Sequence, residues 1–172
     1  MDGPRLSGAG FSRLLLAPLL ALAGHGIAAE PPAEVTFLSA DGRTMLRGFV
    51  FLPQSQPPWP AVVMLHGRSG PYSTAAKGIY DASTLSQRHL QWGRFWAERG
   101  YLGLHVDSFG PRGYPNGFPV RSYASRPPEV NEQTVRPLDA YGAAAYLRGR
   151  GDVMARRIGF QGWSNGAMAG LA

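Results

Sequence analysis

The chain has no cysteine and a single lysine among its 172 residues. Without cysteine there are no disulfides, no thiolate metal ligands and no cysteine nucleophile, and the composition says nothing about redox compartment. The scarcity of lysine leaves arginine to carry 16 of the 17 basic residues behind a formal charge of +6. Those arginines are scattered singly apart from Arg156-Arg157, with no basic stripe or aromatic-interleaved patch, so a nucleic-acid partner is not expected. The sequence also lacks a dinucleotide fingerprint, a Gly-Lys-Ser/Thr phosphate loop and a metal-ligand spacing, so no cofactor and no metal are expected. No apolar run is long enough for stable membrane insertion.

What is present suits one packed domain, with 44% hydrophobic and 16% charged residues. Residues 1–29 have the form of a secretory signal peptide. Arg5 and Arg13 precede the apolar stretch from Leu14 to Ala23, and Gly26-Ile27-Ala28-Ala29 offers small residues for cleavage. The expectation is an exported protein, periplasmic or secreted, with an uncleaved N-terminal anchor as the alternative reading.

The remainder reads as alternating strands and helices. Strand-like runs at Glu34 to Ser39 and Met45 to Phe51 flank Asp41-Gly42, a hairpin signal. Pro53, Pro57, Pro58 and Pro60 read as a stiff connection outside any central strand. Ala61 to Leu65 is an uninterrupted apolar run, as in a strand buried on both faces. A helix from about Thr84 to Arg99, a strand over Leu102 to Val106 and an irregular segment to about Val130 follow. A second helix over Val135 to Arg148 has Thr134 as N-cap and Pro137 in its first turn, where a missing N–H costs nothing. Val135, Leu138, Gly142, Ala145 and Tyr146 are expected on one face, and its small residues allow a close approach to the sheet.

The motif that carries chemistry is Gly162-Trp163-Ser164-Asn165-Gly166. A chain of this composition yields about 0.2 such matches by chance, so the pattern alone is weak. Its context is a strand from Arg157 to Gln161 before it and a small-residue helix start from Ala167 after it. That is the strand-turn-helix elbow that exposes a nucleophilic hydroxyl. The βα order implies parallel strands with right-handed crossovers, so ligands belong beyond the strands' carboxyl ends. His66 to Gly70, Asp107 to Gly113 and Ser164 all fall at such ends.

With these residues in view, the chain resembles the N-terminal part of an α/β-hydrolase. Leu65-His66-Gly67-Arg68-Ser69-Gly70, Asp107-Ser108-Phe109-Gly110-Pro111-Arg112-Gly113 and the serine motif together resemble the dienelactone hydrolase family. The name-giving members use a cysteine nucleophile, so this chain is similar to serine-bearing, exported relatives. The resemblance implies a mostly parallel sheet opened by an antiparallel hairpin. It implies Ser164 as nucleophile toward a small-molecule ester or lactone, with the backbone N–H groups of Asn165 and Arg68 as oxyanion hole. It places His66, Gly67, Asp107, Arg112 and Trp163 around the substrate crevice, with His66 in a structural role.

The other two members of a triad are not visible. In this fold the acid and histidine follow the serine, whereas all four histidines precede Ser164. Residues 30–172 therefore read as an incomplete α/β-hydrolase domain, truncated just after the elbow, and the chain alone is expected to be nearly inert. Within the same fold the rival readings are a serine peptidase or polyester depolymerase. Outside catalysis the rival is a truncated remnant or binding protein.

Overall fold

The computed structural model describes Met1, Gly3 and residues 30–172; the signal-peptide reading of residues 1–29 lies outside the described residues, apart from Met1 and Gly3. Five strands form one mixed sheet: β1 (Ala33–Leu38), β2 (Met45–Phe51), β3 (Trp59–Leu65), β4 (Leu102–Asp107) and β5 (Val153–Gly162). Their spatial order is β1-β2-β4-β3-β5. The hairpin β1-β2 and the pair β2-β4 are antiparallel, while β4-β3 and β3-β5 are parallel. The three helices are α1 (Gln87–Glu98), α2 (Arg136–Arg148) and α3 (Asn165–Leu171). Among the described residues, no helix is long and apolar enough to cross a membrane.

Two apolar clusters hold the sheet between its helices. Leu46, Val50, Val63, Leu65, Leu104 and Val106 pack toward α2, with Ala143 and Leu147. Phe49, Phe51, Val62 and Met64 pack toward α1 with Tyr72 and Leu85. Every residue of β4 is buried, as are all those of β3 except Pro60. That is the pattern of strands covered on both faces. Among the described residues β5 pairs only with β3 and stands at the sheet edge, with Arg156, Arg157 and Phe160 exposed.

Three local expectations are corrected. Pro60 lies inside the central strand β3, at the irregular step where Trp59 pairs with Val153 but Ala61 pairs with Ile158. The ladder is broken there, so the missing N–H of proline is not called on. The helix before β4 starts at Gln87 rather than Thr84, because Asp81 caps a separate 3-10 turn at Ala82–Thr84. Thr134 does not cap α2. The Asn131 side chain takes the Gln133 and Thr134 N–H groups, and its carbonyl takes those of Val135 and Arg136, the turn-forming habit of asparagine.

The buried face of α2 also differs from the apolar stripe read in the sequence. Ala145 is exposed, while Arg136, Asp139, Gly142, Ala143 and Leu147 are buried. Helix and hairpin do come close, as the small residues implied. A Cβ on Gly142 would lie 2.8 Å from the Cα of Ser39.

Candidate active site

Ser164 sits between β5 and α3 with φ 51° and ψ −118°, a left-handed conformation that costs a non-glycine residue on the order of 1–3 kcal/mol. Its neighbours allow no relaxation. A Cβ on Gly162 would lie 2.5 Å from the carbonyl carbon of Gly166, and one on Gly166 would lie 2.6 Å from the carbonyl oxygen of His66. The turn is closed by Gly166 N–H to the Trp163 carbonyl at 2.8 Å and by Ala167 and Met168 N–H to the Ser164 carbonyl at 2.9 and 3.1 Å. The N–H of Asn165 is not among these bonds. The serine itself is exposed.

The loop after β3 lies against this turn. A Cβ on Gly67 would be 3.5 Å from the Cβ of Ser164, so the backbone leading into Arg68 runs beside the hydroxyl. That loop is held from the far side. The Arg68 side chain donates to the Phe118 carbonyl at 2.8 Å, and Phe118 N–H returns a bond to the Arg68 carbonyl at 2.8 Å.

His66 is fully buried. One ring nitrogen, Nδ1, lies 2.7 Å from the Gly67 carbonyl, and Nε2 accepts from Ser108 N–H at 3.1 Å. These partners assign the proton to Nδ1. Burial and the nearby Arg136 charge hold the imidazole well below its usual range. The 4.0 Å approach of Nε2 to Asp107 is therefore no ion pair, and His66 is a neutral strut between two loops.

Asp107 organises the loop after β4. Its Oδ1 accepts from Phe109 and Gly110 N–H at 3.0 and 2.8 Å, and Oδ2 accepts from the Tyr72 hydroxyl at 2.8 Å. Burial nevertheless pushes its carboxyl upward. Arg112 does not turn toward Ser164 or toward Asp107. Its guanidinium ends on Asp139, with bonds of 2.9 and 2.8 Å, and reaches Asp41 at 3.3 Å. The Trp163 ring packs near His89, His105 and Trp92, at centroid distances of 5.1, 6.0 and 6.2 Å. It belongs to the α1-side cluster rather than to an open crevice.

The structure adds residues that the sequence did not mark. Arg136 is fully buried and donates to the His66 carbonyl at 2.7 Å. Its guanidinium lies 4.8 Å from the Phe109 ring centroid, and burial lowers its pKa to about 10. It thus secures the strand end on which Gly166 rests. The buried Asn165 side chain donates to Glu132 at 3.0 Å and to the Tyr123 hydroxyl, which anchors the first turn of α3. No spacing rule could have found these, since the partners are 70 and 33 residues apart. Among the described residues, no group of three or more histidine, aspartate or glutamate side chains could hold a metal ion.

No family model matches the sequence, and no curated protein matches it. Solved structures do. The protein m3DLH superposes with a TM-score of 0.58 at 19% identity, covering 81% of this chain and 51% of its own. The dienelactone hydrolase-like promiscuous phosphotriesterase P91 from metagenomic libraries gives 0.56 at 17% identity, covering 80% and 51%. The α/β-hydrolase GrgF from Penicillium sp. sh18 gives 0.51 at 19%, covering 80% and 39%. The chain spans about half the length of the first two. At these identities the likeness concerns architecture alone: the chain has the α/β-hydrolase fold, similar to that of dienelactone hydrolase-like proteins, over about 80% of its length.

Proposed function

We propose that the complete protein is an exported serine hydrolase of small esters or lactones that acts through an acyl-enzyme at Ser164. The observation that carries this reading is the backbone of Ser164, held at φ 51° between two glycines that cannot be replaced without collision. Strain of that kind needs a reason, and presenting a hydroxyl beside two loops is one.

In the proposed reaction Oγ of Ser164 bonds to the substrate carbonyl carbon as the hydroxyl proton passes to a histidine base. The carbonyl oxygen becomes an oxyanion beside the N–H groups of Asn165 and Arg68. Each donor aimed at that charge contributes about 3 kcal/mol. Collapse expels the alcohol, which takes the proton from the histidine, and water then releases the acid by the same route. The acid and histidine are assigned to sequence beyond Ser164, in keeping with the order of this fold. None of the three histidines described, His66, His89 and His105, is free for the role, because each is buried within the sheet and α1 packing.

The test is hydrolysis of p-nitrophenyl butyrate and γ-butyrolactone by the protein expressed from its complete coding frame. The Ser164→Ala variant should lose a factor on the order of 10⁴ to 10⁶ in kcat. Mass spectrometry should find one fluorophosphonate adduct, on Ser164. An alanine variant that keeps the parental rate would sink the proposal.

A further inference from the structure

A cleft of about 510 Å3 is lined by neither Ser164 nor Gly67, Arg68 or Asn165. It lies where β2 begins beside the carboxyl end of β4, while Ser164 follows β5 on the other side of β3. Its floor is the outer face of the hairpin, where Arg47 pairs with Thr36. Tyr72 and Tyr80 form one wall, their rings 5.3 Å apart and inclined by 56°. Pro111 and Pro115 form the other.

The aromatic hydroxyls and charged groups here are already committed, with one exception. Tyr72 donates to Asp107 at 2.8 Å and Tyr80 to Asn116 at 2.6 Å, so both rings are fixed; Tyr72 is buried behind, and the half-buried Tyr80 borders the cleft. Asp107 is 1% exposed and has both oxygens occupied, so it presents no accessible negative charge. Arg47 is the exception. Its side chain is 40% exposed, and its Nε is 3.8 Å from the Glu34 carboxylate, too far for a hydrogen bond. Glu34 is meanwhile held by Ala82 N–H at 2.7 Å. A bond from Nη1 to the Tyr80 carbonyl positions the guanidinium, which also lies within reach of the Tyr72 hydroxyl and of the Glu34 and Asp107 charges; of its five N–H donors, this bond uses one.

An apolar lining of Tyr80, Pro111 and Pro115 beside a half-buried guanidinium matches a flat ring that carries a carboxylate, since the fork of arginine pairs with two oxygens at once. We propose that this cleft is a binding site for a small aromatic carboxylate, with the ring between Tyr80 and the prolines and the carboxylate on Arg47. The proposal does not depend on the reading of Ser164.

The experiment is isothermal titration calorimetry, with saturation-transfer NMR, of the full chain with benzoate and with neutral benzyl alcohol. Benzoate should bind at least about tenfold more tightly than benzyl alcohol, the scale of one charge-assisted contact. Arg47→Met should remove that difference, Glu34→Gln should tighten benzoate severalfold by freeing the guanidinium, and Ser164→Ala should change nothing. Tyr80→Leu should weaken both ligands and decides the matter if Arg47→Met fails to fold. The proposal is overturned if benzoate does not saturate the protein at millimolar concentration, if Arg47→Met binds it equally well, or if Ser164→Ala abolishes binding. That last result would place the ligand at the serine instead.

Discussion

Gly166 sits in the first turn of α3, where helix propensity alone favours alanine by about 1 kcal/mol. The elbow predicts the opposite sign. An added methyl group would lie 2.6 Å from the His66 carbonyl oxygen and nearer still to that of Leu65. Both are backbone atoms at the end of the central strand β3, and the His66 carbonyl is also held by Arg136 at 2.7 Å. Neither can swing aside as a side chain would, so relief requires α3 to lift from the sheet. Overpacking of this kind costs about 1–3 kcal/mol and occasionally more. With the propensity gain subtracted, Gly166→Ala should still lose about 1–2 kcal/mol, or roughly 0.5–1 M in urea midpoint. Gly170→Ala in the same helix is the control, because the three atoms nearest its methyl group all belong to the Phe160 ring, a side chain that is 40% exposed and can rotate away. That variant should be neutral or slightly stabilised. Urea titration followed by fluorescence, with Trp163 beside the turn, reads both. If Gly166→Ala proves as stable as the parent, the tight contact between elbow and strand end is wrong.

Other outcomes follow from the buried polar groups. Asp139→Ala should cost about 2–3 kcal/mol, since it leaves the Arg112 guanidinium with only Asp41 at 3.3 Å and the Ser108 carbonyl at 2.8 Å and removes the acceptor of the Ser39 hydroxyl at 2.8 Å; pairing it with Arg112→Met should recover part of the loss in the same titration. Burial lowers the pKa of His89 to about 4 and holds His66 and His105 well below the usual 6.5. The unfolded chain therefore takes up protons first as pH falls, and stability should decline between about pH 6.5 and 4 by about 1.4 kcal/mol per unit for each of the three histidines, roughly 4 kcal/mol per unit at most. His89→Phe should flatten that decline in a series of melts. Neither ring nitrogen of His105 has a partner among the described residues, so His105→Phe should be neutral or stabilising, because it removes a buried group that makes no hydrogen bond.

Much of the architecture was legible before any coordinates. Asp41-Gly42 between two alternating runs marks the hairpin, Ala61 to Leu65 marks a strand covered on both faces, and the glycines two residues either side of Ser164 mark the elbow. Each is a short-range rule of turn chemistry, periodicity or close packing, so a few consecutive residues suffice to state it. Charge was the misleading signal. Pattern reading assigns charged residues to solvent, yet Arg136 and Asp139 occupy the buried side of α2, and Arg112 leaves the crevice to meet Asp139.

By itself, then, the sequence determined the βα order, the hairpin and the serine at the sheet's carboxyl edge, because those depend on neighbours in the chain. Only the tertiary structure decided that Pro60 enters a central strand, that Arg136 braces the strand end under the elbow and that Arg47 faces a second cleft. Those outcomes rest on partners distant in sequence: Trp59 with Val153, Arg136 with His66 and Arg47 with Tyr80. A buried charge is tolerable only where such a partner arrives, and folding, not spacing, brings it there.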